Sequence, residues 1–135
     1  MKKDIHSVLE IIKTHCDEHI FSSGNCHDLA FVLKKHFGGD LYAIMRNEVD
    51  EDDVVFSTTY SHMILEVNGE SIDIDGSEAD ERWESMWPDV YDEDGLMSEF
   101  DYVIVEESNI KEFLNQFQIV QNLELINKLD ALITA

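Results

Sequence analysis

The sequence predicts an α+β fold in which N-terminal helices pack on an antiparallel sheet and C-terminal helices follow. Apolar residues recur at helical spacing near both ends of the chain, and between them the period changes to the two-residue period of strands. Within that middle stretch, Asn68-Gly69 separates two alternating segments, which is the strongest short signal for a hairpin. With 135 residues, the chain is expected to form one domain, 1–135, with a core over 20–106 and a helical extension over 107–135.

Two amphipathic helices are predicted before the sheet. The first covers Lys3 to Ile20, where apolar side chains recur every three or four residues. A loop of sequence FSSGN follows, and the second helix begins at Cys26. It is expected to end at Gly38-Gly39, because glycine readily takes the left-handed conformation that ends helices. Cys16 lies on the apolar stripe of the first helix and is expected to fill the core.

The predicted sheet contains the segments 41–46 and 54–60, the two arms of the Asn68-Gly69 hairpin, and DYVIVEE. The acidic run 47–53 is expected to be a solvated loop. The segment 77–95 suggests a short helix and then an irregular loop, with Trp83 and Trp87 on one helical face as core packing or as a lid. Ser108 is expected to cap a helix that ends near residue 117, and an apolar stripe over 119–133 predicts the last helix.

The charge of the chain restricts its partners. Thirty acidic residues against nine Lys and Arg give a formal net charge of −21. Such a field repels nucleic acids and anionic membranes and attracts basic partners, so neither direct nucleic-acid binding nor a membrane partner is expected. The hydrophobic content of 44% is sufficient for a packed core.

The first residues, MKKDIHSVLEIIK, become amphipathic at once and resemble neither a signal peptide nor a membrane span. A cytoplasmic location is therefore expected. In that reducing compartment Cys16 and Cys26 should be thiols rather than a disulfide.

Cys26 is placed at the first turn of a predicted helix. Unpaired N–H groups and the positive end of the helix dipole lower the pKa of a thiol there and make it a better nucleophile. The same N–H groups can stabilise an oxyanion that forms on an attacked carbonyl. Position alone thus predicts an activated cysteine.

Of the six histidines, only His62 is predicted to lie in the sheet. His27 adjoins Cys26, but successive helical residues project about 100° apart, so its ring is not expected to meet the sulfur. A tight turn at Asn68-Gly69 would place Asp75 directly opposite His62 and Asp73 diagonally across from it. Either acid could orient the imidazole and stabilise its charged form.

The motif GNC at the start of an aliphatic helix, followed by a histidine on a strand, a glycine turn and an aspartate, resembles papain-like cysteine hydrolases. That class includes transglutaminase-like and arylamine N-acetyltransferase-like proteins. More narrowly, GNCHDLAFVLKKHFGGDLYAI with HMILEVNGESIDIDG resembles small bacterial and phage proteins of the same fold. The likeness covers 23–76, about two fifths of the chain.

The resemblance implies that Cys26 is the nucleophile, His62 the base and Asp73 the orienting acid, with Asp75 as the rival acid. It implies a protease, deamidase or amidase, or an acyltransferase, that works through an acyl-enzyme on a protein, amine or amide substrate. No cofactor and no metal are required. Papain-like proteases usually carry a glutamine upstream of the cysteine for the oxyanion, and no glutamine precedes Cys26. Asn25, Ser23 or His19 could substitute by side chain, or a second backbone N–H could suffice.

Three other interpretations stay open. Cys16, His19, Cys26 and His27 could form a zinc site, although their spacing is unlike the usual zinc motifs. The chain could instead be a non-catalytic acidic protein that occupies a basic nucleic-acid-binding surface by imitating phosphate charge. It could also be a papain-like scaffold that binds without catalysis.

Overall fold

The structure, a computed structural model, describes residues 3–22, 24–86, 95 and 97–135. The α+β prediction is confirmed, with an antiparallel sheet of strand order β3-β2-β1-β4. The strands are β1 (Asp40–Val49), β2 (Val55–Val67), β3 (Glu70–Ile72) and β4 (Met97–Val105). The helices of the described residues are α1 (Ile5–His15), a 3₁₀ helix (Glu18–Phe21), α2 (Cys26–Phe37), α3 (Ala79–Glu84), α4 (Ile110–Asn115) and α5 (Leu123–Thr134).

The first predicted helix is shorter than expected. It begins after Asp4, whose side chain accepts a hydrogen bond from the N–H of Ser7 at 2.9 Å, and it ends at His15. The prediction of one helix as far as Ile20 is wrong, because Cys16 is extended (φ −133°, ψ 153°). Asp17 then caps a separate 3₁₀ turn through its side chain.

Helix α2 begins at Cys26 and ends before Gly38, as predicted. Gly38 and Gly39 have φ values of 78° and 88°, which side-chain-bearing residues rarely adopt. A Cβ on Gly39 would collide with the backbone oxygen of Glu66. The turn after α2 is therefore packed directly against strand β2.

Strand β2 is longer than predicted. The segments 54–60 and 61–67, expected to be separate, form one strand with a β-bulge. Met45 of β1 pairs with Tyr60 and Ile44 pairs with His62, so that Ser61 is the extra residue.

The hairpin at Asn68-Gly69 has the predicted register close to the turn. Asn68 and Gly69 both have positive φ, Val67 pairs with Glu70, and Leu65 pairs with Ile72. Beyond Ile72 the prediction is wrong, because the backbone leaves the ladder and residues 73–76 close a turn of their own. The predicted pairing of His62 with Asp75 does not form.

The C-terminal half follows the predicted order with different caps. Helix α3 confirms a short helix after residue 77, while Trp87 and most of the predicted loop lie outside the described residues. Helix α4 begins after Asn109, so the predicted cap at Ser108 is wrong. Helix α5 begins after Asn122, whose side chain accepts from the N–H of Leu125 at 3.1 Å.

The main core lies between one face of the sheet and the helices α1, α2, α4 and α5. Cys16, predicted to fill the core from the helical stripe, is only partly buried at the margin of this core, because it lies in extended backbone beyond the end of α1. A smaller cluster on the opposite face contains Ile44, Ile64 and Ala79, with Trp83 packed against it. Within the described ranges, no helix has the length and apolar character needed to cross a bilayer.

Candidate active site

Cys26 is the first residue of α2, and 6% of its surface is exposed. The N–H groups of the first helical turn have no intrahelical partners, so they give this end a partial positive charge. The side chain of Asn25 does not cap the helix. Its Nδ2 instead donates to Oδ2 of Asp28 at 2.9 Å.

Three polar side chains surround the sulfur of Cys26. The hydroxyl of Tyr60 lies 3.3 Å from Sγ, and the imidazoles of His27 and His62 both interact with the thiol. Burial raises the pKa of the thiol, but these interactions outweigh it and lower the pKa from 9.0 to about 6. Burial raises the pKa of Tyr60 well above 10.0, so its hydroxyl stays protonated and can donate to a thiolate.

The His62 imidazole is 1% exposed, and its Nε2 donates to Oδ2 of Asp73 at 3.1 Å. Nδ1 makes no hydrogen bond with any described residue, which leaves it as the nitrogen available to the Cys26 thiol. Burial lowers the pKa of His62, but the Asp73 hydrogen bond and the sulfur raise it to about 9. A thiolate–imidazolium pair is therefore favoured between about pH 6 and pH 9.

Asp73 is held on both of its oxygens. Oδ1 accepts from Nη2 of Arg82 at 2.8 Å and from the N–H of Asp75 at 2.9 Å, while Oδ2 accepts from His62. Burial raises the pKa of Asp73, but the hydrogen bonds from His62 and Arg82 outweigh it and lower the pKa below 3.8. Asp73 thus faces His62 as a carboxylate at neutral pH.

The rival acid Asp75 lies in the turn after β3 with 56% of its side chain exposed. Its carboxylate is 3.8 Å from Nη1 of Arg82, and its backbone N–H supports Asp73. The structure therefore brings His62 together with Asp73, and it places the Asp75 carboxylate outside that contact.

Trp83 stacks on the imidazole of His62. The ring centroids are 4.3 Å apart and the planes differ by 9°, while Nε1 of Trp83 donates to Oγ of Ser61 at 2.8 Å. An aromatic face next to an imidazolium stabilises the charge and restricts the ring to one plane. The sequence predicted core packing or a lid for Trp83, and its ring is partly buried against the smaller hydrophobic cluster.

The His27 imidazole interacts with the Cys26 thiol as well, which corrects the sequence-based expectation. Its ring is 1% exposed, and its Nε2 lies 3.4 Å from the carbonyl oxygen of Val120 and 3.4 Å from Oδ2 of Asp28. In the first helical turn a side chain tilts back toward the N-terminus, so the helical spacing of 100° does not separate the ring from Cys26.

The space beside the thiol is narrow. A gap between α2 and the sheet, lined in part by Cys26, Met63 and Asp73, has no room for a water molecule. Among the described residues, no group of His, Cys, Asp or Glu side chains is arranged to hold a metal ion, so the zinc interpretation has no geometric support there.

Two residues of the site escaped the sequence analysis, namely Tyr60 and Arg82, while His27 was expected to point away from the sulfur and Trp83 was expected as core packing or a lid. The sequence could have pointed to Arg82, because it is the single Lys or Arg between Arg46 and Lys111 in a strongly acidic stretch. Nothing in the sequence pointed to Tyr60, since its position depends on the bulge at Ser61.

No family model, no curated protein and no solved structure matches the chain.

Proposed function

We propose that the protein is a papain-like cysteine hydrolase or acyltransferase with Cys26 as nucleophile, His62 as proton carrier and Asp73 as orienting acid. One observation carries the proposal. A thiol at the start of a helix, with its pKa lowered to about 6, interacts with an imidazole whose Nε2 is bound to a buried carboxylate 3.1 Å away.

In the first step the Cys26 thiolate attacks an amide, ester or thioester carbonyl. A C–S bond forms, and the carbonyl electrons move to oxygen. When the tetrahedral intermediate collapses, the bond to the leaving group breaks and that group takes the proton from Nδ1 of His62. Asp73 keeps the ring oriented and stabilises its charge before the proton is lost.

In the second step the neutral His62 removes a proton from an incoming water or amine, which attacks the thioester carbon. Water gives hydrolysis or deamidation, and an amine gives acyl transfer. The C–S bond then breaks, and the thiolate–imidazolium pair forms again. These reactions share the same residues, so the proposal includes all of them.

The test is the formation of an acyl-enzyme with an activated ester. The protein with Cys16→Ser is mixed with p-nitrophenyl acetate near pH 7, and intact-mass spectrometry follows acetylation of Cys26. We expect rapid acetylation that Cys26→Ala abolishes and His62→Ala slows about tenfold or more. A native thiol that is alkylated normally by iodoacetamide but never acetylated would contradict the proposal.

A second candidate is a non-catalytic acidic protein that binds a basic surface, and the net charge of −21 favours it. Such binding should survive Cys26→Ala and weaken steeply as salt rises. A basic protein column eluted with a salt gradient tests this binding. Retention that is equal in the native protein and in Cys26→Ala supports the binding function, and a lack of retention at low salt would contradict it.

A further inference from the structure

His27 is a buried imidazole that the proposed triad does not use. Its Nε2 faces two acceptors, the Val120 carbonyl and the Asp28 carboxylate, each at 3.4 Å, so this nitrogen must carry a proton. Its Nδ1 is buried and has no hydrogen-bond partner among the described residues. Since the ring interacts with the Cys26 thiol, Nδ1 is the nitrogen left to face the sulfur.

Asp28 fixes the ring in this orientation. It is fully buried, its Oδ1 accepts from the N–H of Asn122 at 3.1 Å, and its Oδ2 accepts from Nδ2 of Asn25. The chain at 120–122 thus closes over the start of α2 and binds both the imidazole and the carboxylate. A side chain held from one nitrogen presents the other in a fixed direction.

The charge around His27 favours a proton on Nδ1 as well. The ring interacts with the Cys26 thiol and with the Asp28 carboxylate, while the His62 imidazole interacts with the same thiol and is bound to Asp73. Burial lowers the pKa of His27, but Cys26 and Asp28 outweigh it and raise the pKa above 6.5. An imidazolium has N–H donors on both nitrogens.

We propose that His27 is a catalytic residue of the acyl-transfer reaction and that its Nδ1–H donates a hydrogen bond to the oxyanion of the attacked carbonyl. The inference rests on the proposed function. When the C–S bond forms, the negative charge moves from sulfur to an oxygen only two bonds away. A donor directed at the thiolate can therefore follow the charge and is stronger in the transition state than a neutral backbone N–H. His27 keeps its proton throughout, and the leaving group takes its proton from His62.

Two amide variants separate the two nitrogens of His27. In His27→Asn the amide N–H₂ can occupy the place of Nδ1, whereas in His27→Gln it reaches the place of Nε2. Each is compared with the native protein in the Cys16→Ser background, and His6→Gln, on the exposed face of α1, is the matched control. Thermal unfolding by circular dichroism verifies that each variant is folded.

Two reagents separate the oxyanion from the thiolate. Iodoacetamide alkylates the thiolate without forming an oxyanion, whereas p-nitrophenyl acetate must pass through one. The ratio of the acetylation rate to the alkylation rate of Cys26 therefore cancels any change in thiolate fraction. Removing one oxyanion donor costs about 10²–10³ in rate in proteases with a strong natural substrate, so we expect a loss of about tenfold or more with this small ester.

The expected ratio in His27→Gln is at least about tenfold below the native value, while that in His27→Asn stays within about threefold of it. Equal ratios in the two variants, or a larger loss in His27→Asn, would overturn the assignment to Nδ1 and indicate that His27 is anchored structurally through Nε2. If the native Cys26 is alkylated but never acetylated, the proposed function itself fails, and that result is distinct.

A measurement on the native protein keeps the inference testable if the variants do not fold. Nitrogen NMR of protein labelled with ¹⁵N-histidine reports the protonation of each ring nitrogen. The His27 signals are assigned by through-bond correlations, or by their loss in the spectra of His27→Asn or His27→Gln if those variants fold. We expect both nitrogens of His27 to be protonated at pH 7. A His27 ring without a proton on Nδ1 at that pH would refute the proposed donor.

Discussion

Replacing His62 by alanine, in the Cys16→Ser background, should raise the pH midpoint of Cys26 alkylation by at least about one pH unit. Burial raises the pKa of the thiol, yet its partners hold the pKa at about 6 instead of 9.0. The difference of about 3 in pKa corresponds to about 4 kcal/mol, at about 1.36 kcal/mol for each tenfold step. His62 contributes to this lowering through its interaction with the thiol and through its charge, so about a third or more of that free energy should be lost.

The lowered pKa of Cys26 should change the rate of its alkylation in two opposite ways. At pH 6 a thiol with a pKa of about 6 is half ionised, whereas one with a pKa near 9 is about 0.1% ionised, an advantage of about 500-fold. The less basic thiolate is also less nucleophilic, by about 15–30-fold for a Brønsted coefficient of about 0.4–0.5. The native protein should therefore react about 20-fold faster than an unassisted thiol with a pKa near 9 at pH 6 and more slowly above about pH 8.

The assay is the rate of iodoacetamide alkylation from about pH 5 to about pH 10, followed by intact-mass spectrometry. His6→Ala is the control, because it removes an imidazole whose contact is with Glu70, outside the site. Its profile should superimpose on the native one. A His62→Ala midpoint equal to the native midpoint, or a native midpoint near 8.5, would refute the reasoning.

Three further predictions concern support of the site, the fold and the substrate. Arg82→Gln removes the cation from Asp73, so the alkylation midpoint should rise by less than in His62→Ala, in the same assay. Gly39→Ala should lower the free energy of unfolding by more than about 2 kcal/mol, because the new Cβ would collide with the backbone of β2. Gly38→Ala adds a Cβ that contacts no other atom, so it should lower the free energy of unfolding by only about 1 kcal/mol. Urea denaturation measures both values. If the substrate is basic, its KM should rise with sodium chloride, and a KM independent of salt would contradict an electrostatic contribution.

Local signals in the sequence predicted the parts of the fold that depend on local geometry. The Asn68-Gly69 turn determined the register of the hairpin because both residues accept positive φ. Gly38 and Gly39 marked the end of α2 for the same reason. These features involve neighbouring residues only, so the sequence contains all that is needed to predict them.

The choice between Asp73 and Asp75 could not be made from the sequence. Hairpin geometry allowed both acids to reach His62, and only the length of β3 decides between them. The ladder ends at Ile72, and Arg82 from α3 binds Asp73 and the carbonyl of Gly76. That contact joins two elements through tertiary packing, which no spacing rule anticipates. The catalytic role of Asp73 stays a prediction, while its contact with His62 is a property of the structure.

The bulge at Ser61 explains why the site is more complete than the motif suggested. In a regular strand Tyr60 and His62 would point to the same face. The extra residue places Tyr60 with Met63 on the face that packs against α2, while His62 pairs opposite Ile44 and stacks on Trp83 of the other face. Because β3 no longer flanks β2 at this point, side chains from both faces can reach the same edge. The Tyr60 hydroxyl and the His62 imidazole both interact with the Cys26 thiol, so a single inserted residue gives the sulfur a hydroxyl donor from one face and an imidazole from the other.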